Sequence, residues 1–112
     1  MSKNTDATRS SKTLSEQVAI AVGSGYFENF NINEKGLHLE KSYTSYNPRQ
    51  VKIDNFYRFE GYNDPQDSSI LYLITTEDGK KGTLVDAYGV YADEQISSFI
   101  RAIESIHKNI ER

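Results

Sequence analysis

The chain has 112 residues, which is the size of one domain with a single modest core. A net charge of −3 argues against a general nucleic-acid-binding protein, because such proteins carry strongly basic surfaces. The sequence contains no cysteine, which excludes disulfides, zinc–thiolate sites and thiol catalysis.

The N-terminal segment, residues 1–12, is polar and is predicted to be a disordered tail. It has no apolar signal region, and no run in the chain approaches the roughly 20 apolar residues that span a bilayer. We therefore expect a cytoplasmic protein with no membrane partner. The folded domain is predicted to cover residues 13–112.

A capping-box sequence predicts the start of the first helix. Thr13 can accept from the backbone N–H of Glu16, whose side chain can bond back to the N–H of Thr13. Apolar residues follow at helical spacing: Leu14, Val18, Ala21 and Val22. Gly23 and Gly25 are expected to end this helix within about three turns.

Three strands are predicted in the middle of the chain. The first two form a hairpin around residues 33–36, and Phe30 and Ile32 alternate with asparagines along the first. Residues 42–48 have no periodicity and are predicted to form a loop. The third strand covers residues 51–60, and its apolar residues are predicted to share one face: Val51, Ile53, Tyr57 and Phe59.

Two further strands are predicted at residues 70–76 and 83–91. Residues 70–76 are apolar on both faces, as expected of the central strand of a sheet. Asp78 and Gly79 are a strong hairpin signal between the two strands.

The second helix has the clearest amphipathic pattern, and Asp93 is predicted to cap it. Its apolar residues recur every three or four positions: Ile96, Phe99, Ile100, Ile103, Ile106 and Ile110. Because short turns join the strands, the five-stranded sheet is predicted to be mostly antiparallel. Both helices are predicted to pack on one of its faces. The predicted fold is therefore a two-layer α+β domain with the element order αβββββα.

Asp86 is the most unusual residue of the predicted strands, because it lies among apolar neighbours. A carboxylate there is costly unless it is paired or faces solvent. Alternation places Asp86 and Tyr88 on the open face of the sheet, away from the helices, and the third strand can present Arg58 and Glu60 there. We predict that these four residues bind a small polar ligand or a peptide. An ordinary cross-strand ion pair beside an aromatic ring remains the alternative.

No catalytic residue, metal site or cofactor is predicted. His38 and His107 lack a helical His-x-x-x-His partner, and the loop containing Asp64 and Asp67 does not have calcium-loop spacing. The sequence also lacks a serine nucleophile elbow and a phosphate-binding glycine loop.

Several segments carry a family resemblance: FYRFEG (residues 56–61), DPQDSSILY (64–72), GTLVDAYGVYAD (82–93), the helix start at Thr13 and the Gly25-Tyr26 step. In them the chain resembles a family of small single-domain bacterial proteins of unassigned function. Some members carry the name phosphoribosylpyrophosphate synthetase. The resemblance implies a shared fold. A phosphoribosyl pyrophosphate loop has two consecutive acidic residues before small ones, whereas Asp86 here stands alone before Ala87 and Tyr88.

Three functions stay open at this point. The first, which we expect, is a non-enzymatic binding module that holds a partner protein or a polar small molecule on a sheet face or edge. The second is an enzyme or binding protein for phosphoribosyl compounds or nucleotides, as the family name implies. The third is a homodimer formed through exposed aromatic sheet faces. Eight Tyr and five Phe cannot all be buried, and exposed tyrosine favours contact with proteins or ligands.

Overall fold

A computed structural model of the protein describes residues 13–59, 68–87 and 93–110, with side chains to residue 106. These residues form α1 (Leu14–Gly23), β1 (Glu28–Asn33), β2 (Gly36–Leu39), β3 (Ser45–Tyr46), β4 (Val51–Phe59), β5 (Ser69–Thr76), β6 (Lys81–Ala87) and α2 (Glu94–Ile110). A one-turn 3-10 helix, Pro48–Gln50, precedes β4. The predicted tail and the loop with Asp64 and Asp67 lie outside the described residues. Neither α1 nor α2 is long and apolar enough to cross a membrane.

The local signals for α1 are confirmed. Thr13 Oγ1 accepts from the Glu16 N–H at 3.1 Å, and Glu16 Oε1 accepts from the Thr13 N–H at 2.9 Å. The helix ends before Gly25, whose φ of 107° lies in the left-handed region that favours glycine. The Tyr26 N–H then donates to the Ala21 carbonyl at 3.0 Å, which satisfies a carbonyl of the last turn.

Both predicted hairpins are present. β1 and β2 pair antiparallel with Asn33 opposite Gly36, and the turn between them is tight because Gly36 adopts a φ of 118°. β5 and β6 also pair antiparallel, and Asp78 and Gly79 lie in the turn that joins them. Short-range turn chemistry was sufficient to locate both connections.

The sheet is mostly antiparallel, as predicted, but it has one strand more than predicted and includes one parallel pair. Its order is β3-β2-β1-β6-β5-β4, so it has six strands among the described residues. β1 pairs with β6 in parallel, with Glu28 opposite Gly82 and Asn29 opposite Thr83. The additional strand is β3, which lies inside the predicted loop and buries Tyr46. Two residues are too few to show a period, which is why the sequence pattern did not predict it.

The sheet curls around α2. β3 and β4 are its two edges, and in a flat sheet of six strands they would lie about 24 Å apart. Only five residue steps connect Tyr46 to Val51, and even a fully extended chain spans at most about 18 Å over that length. Both residues are buried in the core cluster that contains the inner side of α2.

The two helices lie on opposite faces of the sheet, so the prediction that they share one face is wrong. The change of face is visible in β5, where neighbouring side chains point in opposite directions. Ile74 belongs to the cluster that contains Ile103 of α2, whereas Leu73 belongs to the cluster that contains Ala21 of α1. A strand that is apolar on both faces requires cover on both faces.

The apolar stripe of α2 is confirmed as far as its side chains are described. Its buried or half-buried members are Ile96, Phe99, Ile100, Ile103 and Ile106. In α1 one member of the predicted apolar stripe is wrong. Gln17 is buried beside Ala21, whereas Val22 is 46% exposed.

Candidate functional site at the edge strand β4

The structure describes two of the four predicted site residues. Arg58 of β4 pairs with Ile70, and Ile70 pairs with Asp86 of β6, so both charged residues lie in one cross-strand row on the α2 face. The prediction that they lie on an open face is therefore wrong, because α2 packs on this side of the sheet. β5 lies between them. Glu60 and Tyr88 lie outside the described residues, so the ligand site of four residues stays a prediction.

Asp86 has a partner that the sequence pattern did not suggest. Its Oδ1 accepts from the backbone N–H of Asp93 at 3.1 Å. Asp93 in turn caps α2, since its Oδ1 accepts from the N–H groups of Gln95 and Ile96 at 2.8 and 3.2 Å. Burial raises the pKa of the Asp86 carboxyl, and the nearby Asp93 charge adds to this, while backbone N–H groups oppose it. Asp86 therefore ties the end of β6 to the start of α2.

We expect Asp86→Asn to leave the stability at pH 7 unchanged or higher, and Asp86→Ala to lower it by about 1 kcal/mol. A carboxyl whose pKa is raised by folding stabilises the protein only while it is protonated, so this contribution is lost as the pH rises through the folded pKa. Asparagine keeps an acceptor for the Asp93 N–H without the charge, whereas alanine removes the acceptor.

Urea denaturation of both variants at pH 7 and pH 3 checks this expectation. Any advantage of Asp86→Asn over the wild type should disappear at pH 3, where the wild-type carboxyl takes up its proton. A loss at pH 7 as large as that of Asp86→Ala would show that the negative charge itself stabilises the fold.

Among the described strands, β4 is the longest and forms one edge of the sheet, with β5 as its neighbour. Its pairing shifts in the middle: Ile53 lies opposite Ile74, and Asn55 lies opposite Leu73. Two residues of β4, Asp54 and Asn55, therefore lie opposite the single residue Leu73 of β5. This is a β-bulge with Asp54 as the extra residue.

The bulge reverses which side chains face α2. Val51 and Ile53, before the bulge, belong to the core on the α2 side, whereas Tyr57 and Phe59, after it, pack against the α1 core. The prediction that these four residues share one face is therefore wrong. Side chains alternate regularly on each side of Asp54, but the extra residue exchanges the two faces for all residues that follow it.

A row of neighbouring side chains runs inward from the β4 edge on the α2 face. The Arg58 guanidinium carbon lies 5.6 Å from the centre of the Phe56 ring. The Phe56 and Tyr72 rings follow with centroids 6.4 Å apart and an interplanar angle of 51°. Arg58 is exposed and Phe56 is 37% exposed, so the outer part of this row faces solvent.

A polar cluster anchors the bulge on the α1 face. Asp54 Oδ2 accepts from the Tyr26 hydroxyl at 2.7 Å and from the Thr75 hydroxyl at 2.6 Å. Its Oδ1 lies 3.9 Å from the Lys52 ammonium, and Lys81 lies 4.9 Å above the centre of the Tyr26 ring. The bond to the Asp54 carboxylate raises the pKa of Tyr26. Tyr26 therefore keeps its proton and acts as a hydrogen-bond donor that holds the bulge in place.

A second polar network, which the sequence reasoning missed, ties β3 to the β5–β6 turn. The Tyr46 hydroxyl donates to both Asp78 carboxylate oxygens, at 2.9 and 3.2 Å, and the Thr76 hydroxyl also donates to Asp78. Burial and the bond to Asp78 raise the pKa of Tyr46, and the bond from Thr76 lowers that of Asp78. The hydroxyl and carboxylate groups of this network are hydrogen-bonded to one another. Because they join β3 to the β5–β6 turn, we interpret the network as stabilising the curl of the sheet.

A groove of about 500 Å³ lies between the β1–β2 turn and the first turns of α2. Ile32, Phe99 and Pro48 form its apolar part, and Asn33 and Gln95 belong to its polar rim. Among the described side chains of residues 13–59, 68–87 and 93–106, no group of three or more His, Asp or Glu could hold a metal ion.

No family model, curated protein or solved structure matches the chain. The family resemblance therefore stays an expectation, and the geometry of the molecule is what supports a function. The β4 edge combines a long strand with exposed aromatic and cationic side chains, and we take it as the candidate site.

Proposed function

We propose that the protein is a non-enzymatic binding module that holds an extended segment of a partner protein along β4. The observation that supports this is the position of β4, a nine-residue strand at the edge of the sheet. In the described part of the chain, β5 is the strand that pairs with it. An edge strand presents N–H and C=O groups on its outer side, and an added strand can pair with them.

The two halves of β4 differ in how they are protected against strand pairing. Proteins blunt sheet edges with lysine, proline, charges and bulges. Lys52 and the bulge at Asp54 protect the first half. Residues 55–59 contain neither lysine nor proline and carry three aromatic side chains. Their protection is limited to the charge of Arg58 and to the Asn55 side chain, which accepts from the Phe56 N–H at 2.9 Å. The second half is therefore the part suited to hold an added strand.

The side chains of this second half would select the partner. Phe56 and Arg58 lie on the α2 face, and Tyr57 and Phe59 lie on the α1 face. A strand beside β4 would place a residue directly opposite each of them, at Cβ distances of about 5 Å. Opposite Arg58 we expect an acidic or aromatic residue, and opposite Phe56 an aromatic, β-branched or arginine residue.

A protein partner fits this geometry better than a small polar ligand does. Of the two described members of the predicted ligand site, Asp86 already accepts from the start of α2, while Arg58 stands on β4 and belongs to the proposed edge. The residues around Arg58 form a row along the edge strand β4. Extended polypeptides recognise such a row through main-chain hydrogen bonds and alternate side chains.

Selection from a displayed library of random ten-residue peptides tests the proposal without knowledge of the natural partner. We expect selected peptides to shift the backbone amide resonances of residues 55–59 in the isotope-labelled protein. Phe56→Ala should weaken their binding about tenfold, as expected for a central interface aromatic residue. Phe27→Ala is the matched control, because Phe27 is 66% exposed and lies outside β4.

Two results would contradict the proposal. One is a library from which no peptide is enriched. The other is a set of peptides whose resonance shifts fall outside β4 and whose binding is unchanged by Phe56→Ala.

A further inference from the structure

We infer that the strand added to β4 is β4 of a second copy of the chain, paired antiparallel about a two-fold axis at Tyr57. The inference rests on the proposed function, since it names the partner of the same edge. An antiparallel pair of identical edges is an isologous contact, so every cross-strand pair away from the axis occurs twice.

The register at Tyr57 makes the edge complementary to itself. It places Phe56 opposite the partner's Arg58, and by symmetry Arg58 opposite the partner's Phe56. The same two residue types already stack within one chain, with the guanidinium carbon 5.6 Å from the ring centre. Directly opposite residues in an antiparallel pair bring their Cβ atoms to about 5 Å, which is close enough for a cation to reach an aromatic ring.

The neighbouring registers are less favourable. An axis at Arg58 would place two arginines directly opposite each other, and opposed like charges destabilise a strand pair. An axis at Phe56 would place Arg58 opposite Asp54 of the bulge. The Asp54 carboxylate accepts from Tyr26 and Thr75 on the α1 face, whereas Arg58 lies on the α2 face. The bulge therefore excludes a pairing that charge alone would favour.

The proposed contact buries little surface, so we expect weak association that is measurable only at high protein concentration. Residues 55–59 of each copy form the pair, so the buried area falls below the roughly 1,200 Å² of a standard interface. We expect association at high micromolar concentrations. Sedimentation equilibrium of the full chain at concentrations up to about 1 mM covers this range.

Charge substitutions test the register. Phe56→Lys puts a lysine opposite the partner's Arg58 twice and should weaken association at least tenfold. The double variant Phe56→Lys/Arg58→Glu replaces both repulsions by attractions and should restore association to within about threefold of the wild type. Phe27→Lys, the same substitution at an exposed position outside β4, should leave association unchanged.

Disulfide trapping gives a second test that does not depend on Phe56. The chain has no cysteine, so an introduced thiol is the only one present. Tyr57→Cys should form a covalent dimer under mild oxidation, because opposite Cα atoms lie about 5 Å apart at the axis. Asn55→Cys is the control. Its two copies would lie about 14 Å apart along the strands, too far for a disulfide to form.

A dimer that Phe56→Lys weakens, that the double variant restores and that Tyr57→Cys traps supports the inference. A chain that is monomeric at 1 mM overturns it, as does a dimer insensitive to Phe56→Lys, one not restored by the double variant, or one trapped equally by Asn55→Cys. Peptide mapping separates the two proposals. If the chain is monomeric but residues 55–59 still respond to selected peptides, the proposed strand-binding edge stands and only the dimer is contradicted. If the chain is monomeric and shows no such response, both proposals are contradicted.

Discussion

Replacing Ile103 by alanine should lower the free energy of unfolding by about 2–4 kcal/mol, because it leaves a cavity in the middle of the core. Ile103 is 1% exposed and lies in one buried cluster with Ile74 of β5 and Leu84 of β6. The curled sheet surrounds this side of α2 and has little freedom to collapse into the space. Urea denaturation at 25 °C, followed by far-UV circular dichroism, measures the loss.

Glu104→Ala is the matched control for this substitution. Glu104 is the next residue of the same helix and is exposed, so its replacement should change the stability by less than about 0.5 kcal/mol. A loss below about 0.5 kcal/mol for Ile103→Ala would mean that this side of α2 does not face a packed core.

Local signals in the sequence were sufficient wherever a few neighbouring residues decide the structure. The capping box at Thr13, the turn at Gly36 and the Asp93 cap each depend on contacts within about four residues. The stripe of α2 is equally local, since helical spacing alone identifies its apolar side. These elements are present where they were predicted.

The side of the sheet on which each helix packs is a long-range property, and it was predicted wrongly. An apolar stripe shows that a helix has a buried side but does not show what covers it. The two-faced apolar pattern of Ser69–Thr76 contained the missing information, because Leu73 and Ile74 both need cover. That pattern requires one helix on each face.

The candidate site could be predicted only in part for the same reason. Alternation placed Arg58 and Asp86 on one face, as the strand pairing also does, but it did not show that α2 packs on that face. The edge position of β4 follows from the strand order, which no single segment determines. The bulge at Asp54 has no period of its own, and it becomes visible only through the pairing with β5 and the bonds from Tyr26 and Thr75.

The parallel pairing of β1 with β6 was also missed, although one residue hints at it. Gly82 lies inside a strand, where glycine is unfavourable unless another backbone approaches closely. In the fold, the backbone of Glu28 fills the space beside it. The short β1–β6 pair joins β1–β3 to β4–β6, so the continuity of the curled sheet depends on this close approach.

Gly82→Ala should therefore lower the free energy of unfolding by about 3 kcal/mol. An added Cβ would overlap the carbonyl oxygen of Glu28 and lie 2.8 Å from its Cβ, so the two strands would have to separate. Urea denaturation measures the loss, and amide resonances of β1 and β6 should shift more than those of α1. Gly23→Ala is the control, because a Cβ there meets nothing within 4 Å and the helix favours alanine by up to about 1 kcal/mol. Equal stabilities for the two variants would show that β1 and β6 do not approach as closely as the parallel pairing requires.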